Sequence, residues 1–395
     1  MAMIFRISRL GYFLFVLVYA TAYGKSHPTS ARPGKVSLTT GRRFNQPDTL
    51  PVVPHKQGPP IPGMIYVEGG YMTMGNLVED KLGTGGGSTK PVTITSFYID
   101  QTPITNLDYR EYLYDLQKNS LTEAYKAAMP NQQALLEGFS YNNLYLENYL
   151  NAPGFAYYPV VGVSWEQATE YCKWRTKKFQ EEEIKKYKAK LTPQPDAEEG
   201  QTTAINNEDI EAIISRCPEF RLASEAEWEY AAHAIIGTAN IDYLQRHQRI
   251  YPWDGSSPRG KNGQFLANFK RGKGNYKGMA GESDHAAPTS YVYAYPPNDL
   301  GLYDMVGNVC CWVSDTYSPL ALQDSGDLNP VIRDGSPDQA DHHKGSLTNA
   351  HDKVYKGCSW ADSAYFLQIG TRRYLNKDSA TATIGFRCVV SSLGR

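Results

Sequence analysis

The chain has 395 residues, 41% of them hydrophobic and 12% aromatic, enough to bury a sizeable core and, on length alone, to form more than one domain. Forty Lys and Arg stand against 41 Asp and Glu, a net charge of −1, so no basic surplus exists to neutralise phosphates and general nucleic-acid binding is excluded. Thirty-four glycines, 24 prolines and 29 tyrosines point to a loop-rich domain and away from a helical bundle.

Residues 1–22 read as a secretory signal peptide. Arg6 and Arg9 form a basic start, Leu10 to Tyr19 supplies an apolar run, and Ala20-Thr21-Ala22 is a small-x-small cleavage site. The run is short for a bilayer span, which needs roughly 20 apolar residues, so cleavage is expected over an uncleaved anchor. The first cysteine is Cys172, so no lipid-anchor cysteine follows the run. Export permits disulfides among the six cysteines, Cys172, Cys217, Cys310, Cys311, Cys358 and Cys388. No C-x-x-C spacing occurs, which removes a zinc ribbon or thioredoxin-type site.

Residues 23–60 are polar, rich in Pro, Ser, Thr and Gly, and read as an arm or linker. A domain over 61–392 opens with GMIYVEGGYMTMG, where Ile65, Val67, Tyr71 and Thr73 alternate around Gly69-Gly70 and predict a β-hairpin. Gly83 to Lys90 (GTGGGSTK) lacks the Gly-Lys-Ser/Thr order of a phosphate-binding loop and reads as a flexible loop. Thr105 with Asp108, Ser164 with Gln167 and Ser224 with Glu227 predict three helix starts; Trp165, Ala168 and Cys172 then share one face, and Trp165 and Trp228 read as core anchors. Two insertions are expected, about 177–217, charged and with a short helix near Asp209 to Ile214, and about 319–353. In the second, Asp338, Asp341, His342, His343 and His351 cluster, but a Gly/Ser/Pro-rich loop offers no rigid frame for zinc, and a solvated surface is the expectation.

Four segments, GVSWEQATEYCKW (from Gly162), FRLASEAEWEYAA (from Phe220), NDLGLYDMVGNV (from Asn298) and the stretch from Lys356 to Val389, together resemble the formylglycine-generating-enzyme/sulfatase-modifying domain family. The resemblance covers about Gly63 to Val390 and implies an α+β, loop-rich, C-type-lectin-like fold with little regular secondary structure. Oxidising members carry two reactive cysteines between the G-G-S-W turn and the following arginine; here Ser359 to Tyr374 contains none. The resemblance therefore implies a non-catalytic member with no required cofactor. SLTTGRRFN (from Ser37), WRTKK (from Trp174), LANFKRGKGNYKGMAG (from Leu266) and GTRRYLNKDSATATIGFRC (from Gly370) are similar to the gliding-motility and type IX secretion lipoproteins of the GldJ/GldK type. That likeness implies an exported structural component in the periplasm, associated with the outer membrane and partnered by other secretion and motility envelope proteins. The missing anchor cysteine departs from that branch.

The resemblance also implies site residues. Cys172 and Cys388 match a disulfide pair whose loop would contribute about 4–5 kcal/mol in the chain-entropy model. Cys310, Cys311 and Cys358 replace a tryptophan, a glutamate and a glycine of the family pattern. They admit a structural disulfide from Cys358 to one of the vicinal pair, the favoured reading, or a thiol site for copper or redox chemistry. Structural calcium is the other inherited expectation. One site maps to Asn268, Phe269 and Asp284, and a weaker one to Asp304, Gly307 and Val309, with Cys311 where a glutamate ligand would be. Two alternative functions remain open: a copper- or thiol-dependent oxidase using Cys358 with Cys310 or Cys311, and a peptide- or glycan-binding module using the vestigial cleft.

Overall fold

The computed structural model describes residues 35–37, 39–52, 61–75, 89–134, 148–191, 207–234, 249–271, 289–333 and 351–392. The chain divides into two units, Met1–Pro60 with Gly394–Arg395, and Ile61–Leu393. The signal-peptide segment lies outside the described residues, as do Asp284, most of Gly83 to Lys90, and Asp338, Asp341, His342 and His343. In the first unit the polar arm contains a small turn: Val36 bridges Arg43, and Ser37 donates to Arg42 O at 2.8 Å.

Among the described residues the second unit contains three sheets. Strands β1 (Met64–Val67), β4 (Phe97–Asp100), β5 (Phe220–Leu222) and β10 (Cys388–Ser391) form one, in the order β1-β4-β10-β5 and antiparallel throughout. Strands β2 (Gly70–Gly75) and β3 (Thr89–Ile94) form a two-stranded ribbon. The third sheet runs β8-β7-β6-β9, built from β6 (Cys310–Thr316), β7 (Asp352–Lys356), β8 (Arg372–Asn376) and β9 (Ile384–Phe386), with β6 and β9 parallel.

The hairpin expected at Gly69-Gly70 does not form. β1 pairs with β4 and β2 with β3, so the segment passes from one sheet to another. Gly69 serves a close approach: a Cβ there would lie 2.5 Å from both Ile94 O and Ser96 N. Glycine is required because two stretches of backbone cross.

All three predicted helix starts are present. Helix α1 (Asn106–Lys118) and helix α5 (Glu225–His233) have reciprocal capping boxes, at Thr105/Asp108 and Ser224/Glu227. Ser164 N donates to Gln167 Oε1 at 2.9 Å and Gln167 N to Ser164 Oγ at 3.2 Å, opening helix α3 (Trp165–Leu191). α3 is longer than expected. It runs straight through Lys177, because Lys178–Glu181, Lys185–Glu182 and Lys186–Glu183 pairs one turn apart suit a solvated helix. Helix α2 (Thr122–Ala128) follows α1, and helix α4 (Asn207–Ile214) falls where a short helix was expected. A four-residue helix α6 (Ala321–Asp324) opens the second insertion. Among the described residues no helix is long and apolar enough to cross a membrane.

One core gathers β2, β3, α5 and one face of β6, with Trp228 fully buried. A second gathers α1, α3, β10, β9 and the other face of β6, where Tyr109, Tyr171 and Phe386 pack ring to ring. Trp165 is half-buried, and its Nε1 donates to Val313 O at 2.7 Å. Arg387 is wholly buried and donates to the carbonyls of Asp100, Tyr303 and Asp304, tying the end of β4 and the loop at 303–304 to the junction of β9 and β10.

Candidate functional site

Strand β6 sends Cys310 and Cys311 to opposite faces, as the two-residue period of a strand requires. Cys311 joins the α5 core with Cys358; Cys310 joins the other. Adjacent Arg372 and Arg373 on β8 split in the same way. Arg372 is opposite Lys356, Arg373 opposite Tyr355, and each follows its partner to that partner's face.

On the Cys310 face the turn after β7 and the segment after it build a polar corner. Gly357 adopts φ +81° with Trp228 and Met305 O against it, which aims its carbonyl toward β8. Ser359 donates to Asp362 Oδ2 from both N (2.8 Å) and Oγ (2.6 Å). Arg373 grips the same carboxylate, Nη1 to Oδ1 at 2.7 Å and Nη2 to Oδ2 at 2.9 Å. Nη2 also reaches Gly357 O at 3.1 Å and Cys310 Sγ at 3.0 Å. The guanidinium lies between the rings of Phe366 and Tyr355.

A cation beside a sulfur ordinarily favours thiolate. Here burial pushes the Cys310 thiol well above its ordinary value; Arg373 works against that shift, and Asp362 restores it. Burial likewise raises the Cys358 thiol. Asp362 is itself disfavoured as an anion by burial, yet Arg373 and Ser359 hold its carboxyl below the usual range. The guanidinium charge is therefore spent on Asp362, and the sulfur stays protonated at neutral pH.

The structure holds all six cysteines as free thiols. Cys358, expected to pair with one of the vicinal cysteines, directs its thiol to Ser359 O (3.5 Å) and Ser363 O (3.8 Å) instead. The partners of Cys310 are Arg373, Gly357 and Asp362. Cys172 and Cys388 are brought together on α3 and β10, both buried, with sulfurs 3.4 Å apart. Arg373 and Asp362 lie 63 and 52 residues from Cys310, so nothing in the sequence marks them as its neighbours. Only strand pairing makes them neighbours.

The α5 face carries a different arrangement. Lys356, fully buried, pairs with Glu229 at 2.6 Å and Glu225 at 3.4 Å; Arg372 Nε pairs with Glu225 at 2.8 Å. Asp315 accepts from the backbone N of Glu225 and of Ile332. Burial pushes the Asp315 carboxyl up to about 6, with Glu225 adding to the rise.

The calcium ligands are partly in view. Asn268 and Phe269 are buried, and Asn268 O accepts from Asn308 N at 2.8 Å. At the second site Gly307 has φ +84° and Val309 is in the core. Asp304 accepts from Asn308 Nδ2 at 2.8 Å, and burial pushes its carboxyl up to about 7. With a thiol at position 311 facing an apolar core, this donor set does not fit a hard cation, which takes charged oxygens. Among the described residues no three His, Cys, Asp or Glu side chains gather to hold a metal ion.

Among the described residues, two clefts have room for a ligand. One, about 520 Å³, lies beside Trp165, Phe220, Arg221 and Lys353; the other, about 440 Å³, lies between Asp108, Glu111, Trp174 and Tyr293. Neither borders Cys310 or Cys358.

A profile of the sulfatase-modifying factor enzyme 1-like domain matches residues 50–392. The inactive C-alpha-formylglycine-generating enzyme 2 of Mus musculus is 25% identical, over 85% of this chain and 87% of its own length. The formylglycine-generating enzyme of Mus musculus is 24% identical, over 98% of this chain and 95% of the relative. Among solved structures, PvdO from Pseudomonas aeruginosa aligns with a TM-score of 0.47 at 20% identity, covering 83% of this chain and 94% of that one.

Proposed function

Because the chain belongs to the sulfatase-modifying factor enzyme 1-like domain family, we propose that it is a non-catalytic member, an exported scaffold that works through protein contacts in an envelope assembly of the gliding-motality and type IX secretion class. One observation carries the first half: no cysteine lies between Ser359 and Tyr374. The thiols nearest that segment are protonated and buried, and the adjacent cation is held by Asp362, so no nucleophile is prepared to replace the missing pair. The likeness to an inactive relative supports the same reading. The assembly role rests on the arm and the branch-like segments of the sequence, and outer-membrane association in the periplasm goes with it.

Purified protein incubated with copper, oxygen and a cysteine peptide of the sulfatase type should leave the peptide mass unchanged. Loss of thiol with aldehyde formation would show an oxidase using Cys358 or Cys310. Export is tested separately. In an oxidising compartment Cys172 and Cys388 should be joined, since little more than 1 Å separates their present spacing from a bond of about 2.05 Å. Non-reducing peptide mapping of protein recovered from the envelope should find the linked peptides; two free thiols there would count against residence in that compartment.

A further inference from the structure

A ridge of tyrosines stands on the surface beside the 440 Å³ cleft. Val292 is fully buried and its N donates to Tyr157 O at 3.1 Å, so its neighbours Tyr291 and Tyr293 are turned outward. Tyr157, Tyr291 and Tyr293 are 52%, 44% and 41% exposed and lie side by side, and a contiguous exposed patch, unlike a single exposed ring, marks a contact surface. Their centroids follow one another at 6.4 and 5.5 Å, and Tyr303 continues the row 4.8 Å beyond Tyr293.

The cleft that Tyr157 and Tyr293 border is electrostatically one-sided. Its two cations are already engaged: Arg175 with Asp100 at 2.9 Å, Lys178 with Asp115 at 3.1 Å and Glu181 at 2.7 Å. Asp108 accepts from the uncharged N and Oγ1 of Thr105, and Glu111 is exposed with no ionic partner among the described residues. Glu111 therefore faces the cleft without an ionic partner among the described residues, and Asp108, held by uncharged donors, adds a second negative charge beside it.

We propose that this ridge and cleft form a docking groove for a proline-rich segment of a partner protein that carries Lys or Arg next to its prolines. The inference rests on the protein-contact reading above and gives it a surface and a chemistry. Proline-rich chain is already extended as polyproline II, so little ordering entropy is lost on binding, and its rings pack between spaced aromatic side chains. Tyrosine hydroxyls donate to its carbonyls, and its cation pairs with Asp108 and Glu111. A neutral oligosaccharide would also stack on the rings, but it gains no ion pair from Asp108 and Glu111, neither of which has a cation partner among the described residues. The charge selects the peptide.

The test is fluorescence anisotropy with the full chain and three labelled probes: octaproline flanked by arginines, octaproline flanked by glutamates, and a Gly-Ser peptide flanked by arginines. The arginine-flanked octaproline should bind saturably, at least about tenfold tighter than either other probe. Tyr157→Ser with Tyr293→Ser should weaken it by about tenfold or more, with the near-UV circular dichroism of the core retained. Glu111→Lys should weaken the arginine probe and strengthen the glutamate probe. Equal binding of all three probes, or no response to both variants, would overturn the proposal. So would chitohexaose binding that the tyrosine changes abolish while the proline probe does not bind. The copper and cysteine-peptide assay shares no component with this titration, so the two readings fail independently.

Discussion

The two faces of the β8-β7-β6-β9 sheet are built from neighbouring residues, yet they handle charge in opposite ways. Lys356 and Arg372 point to the α5 side, where Glu225 and Glu229 meet them and all four are sealed from solvent. Arg373, one residue on, points to the other side, where a single carboxylate and a thiol share it near the surface. The first face is a closed ionic network in which every charge needs its partner. The second is a clamp, in which Asp362, within the cysteine-free stretch from Ser359 to Tyr374, holds the cation. The difference teaches that a cation beside a cysteine need not lower the thiol's pKa. What matters is whether its charge is left over.

Breaking the closed face should cost most. Lys356→Met leaves buried Glu229 without its cation, while Glu225 keeps Arg372, and urea unfolding should show a loss of about 3–5 kcal/mol. Adding Glu229→Gln should restore part of it, a recovery that simple loss of packing would not give. On the clamp face, Arg373→Met leaves Asp362 with its Ser359 donors and some solvent, so about 1–3 kcal/mol is expected in the same measurement.

The pH dependence sharpens the contrast, because the two carboxyls shift in opposite directions. Asp315 is raised to about 6 from an ordinary 3.8, so its ionisation penalises the folded state. That penalty is complete above about 6 and is relieved as pH falls towards the ordinary value. Asp362 is lowered, so its stabilisation is present above the ordinary value and is lost as pH falls through its own depressed pKa. Urea midpoints measured against pH should therefore lose slope between about 6 and 4 in Asp315→Asn, and below about 4 in Asp362→Asn. The same slope change in both variants would erase the distinction between the faces.

Much of the scaffold was legible locally. Thr105/Asp108, Ser164/Gln167 and Ser224/Glu227 announce helices because a capping box spans only three residues. The fold class followed from the long motifs. The strand partners did not: Gly69 looks like a hairpin turn in sequence, and only its crossing with residues 94–96 shows another purpose. The first part of the charged insertion that starts at about 177 belongs to α3, which a charge run does not reveal because it reads equally as loop or solvated helix. At the site, the missing cysteines were visible at once, while Arg373 and Asp362 were not. Their meeting with Cys310 depends on three strands of different sequence position lying in register.

The order β1-β4-β10-β5 has a consequence for how the molecule comes into being. The seam between β4 and β5 is filled by β10, residues Cys388–Ser391, which pair with strands nearly 300 and about 170 residues earlier. A chain delivered N-terminus first holds β4 and β5 with unfilled edges throughout synthesis and gains the stitch between them only with its final strand. Such distant pairing is slow to form, since loop closure precedes any reward. The four-stranded sheet is therefore closed by long-range pairing alone: β4 and β5 are joined only through residues 388–391 among the described strands.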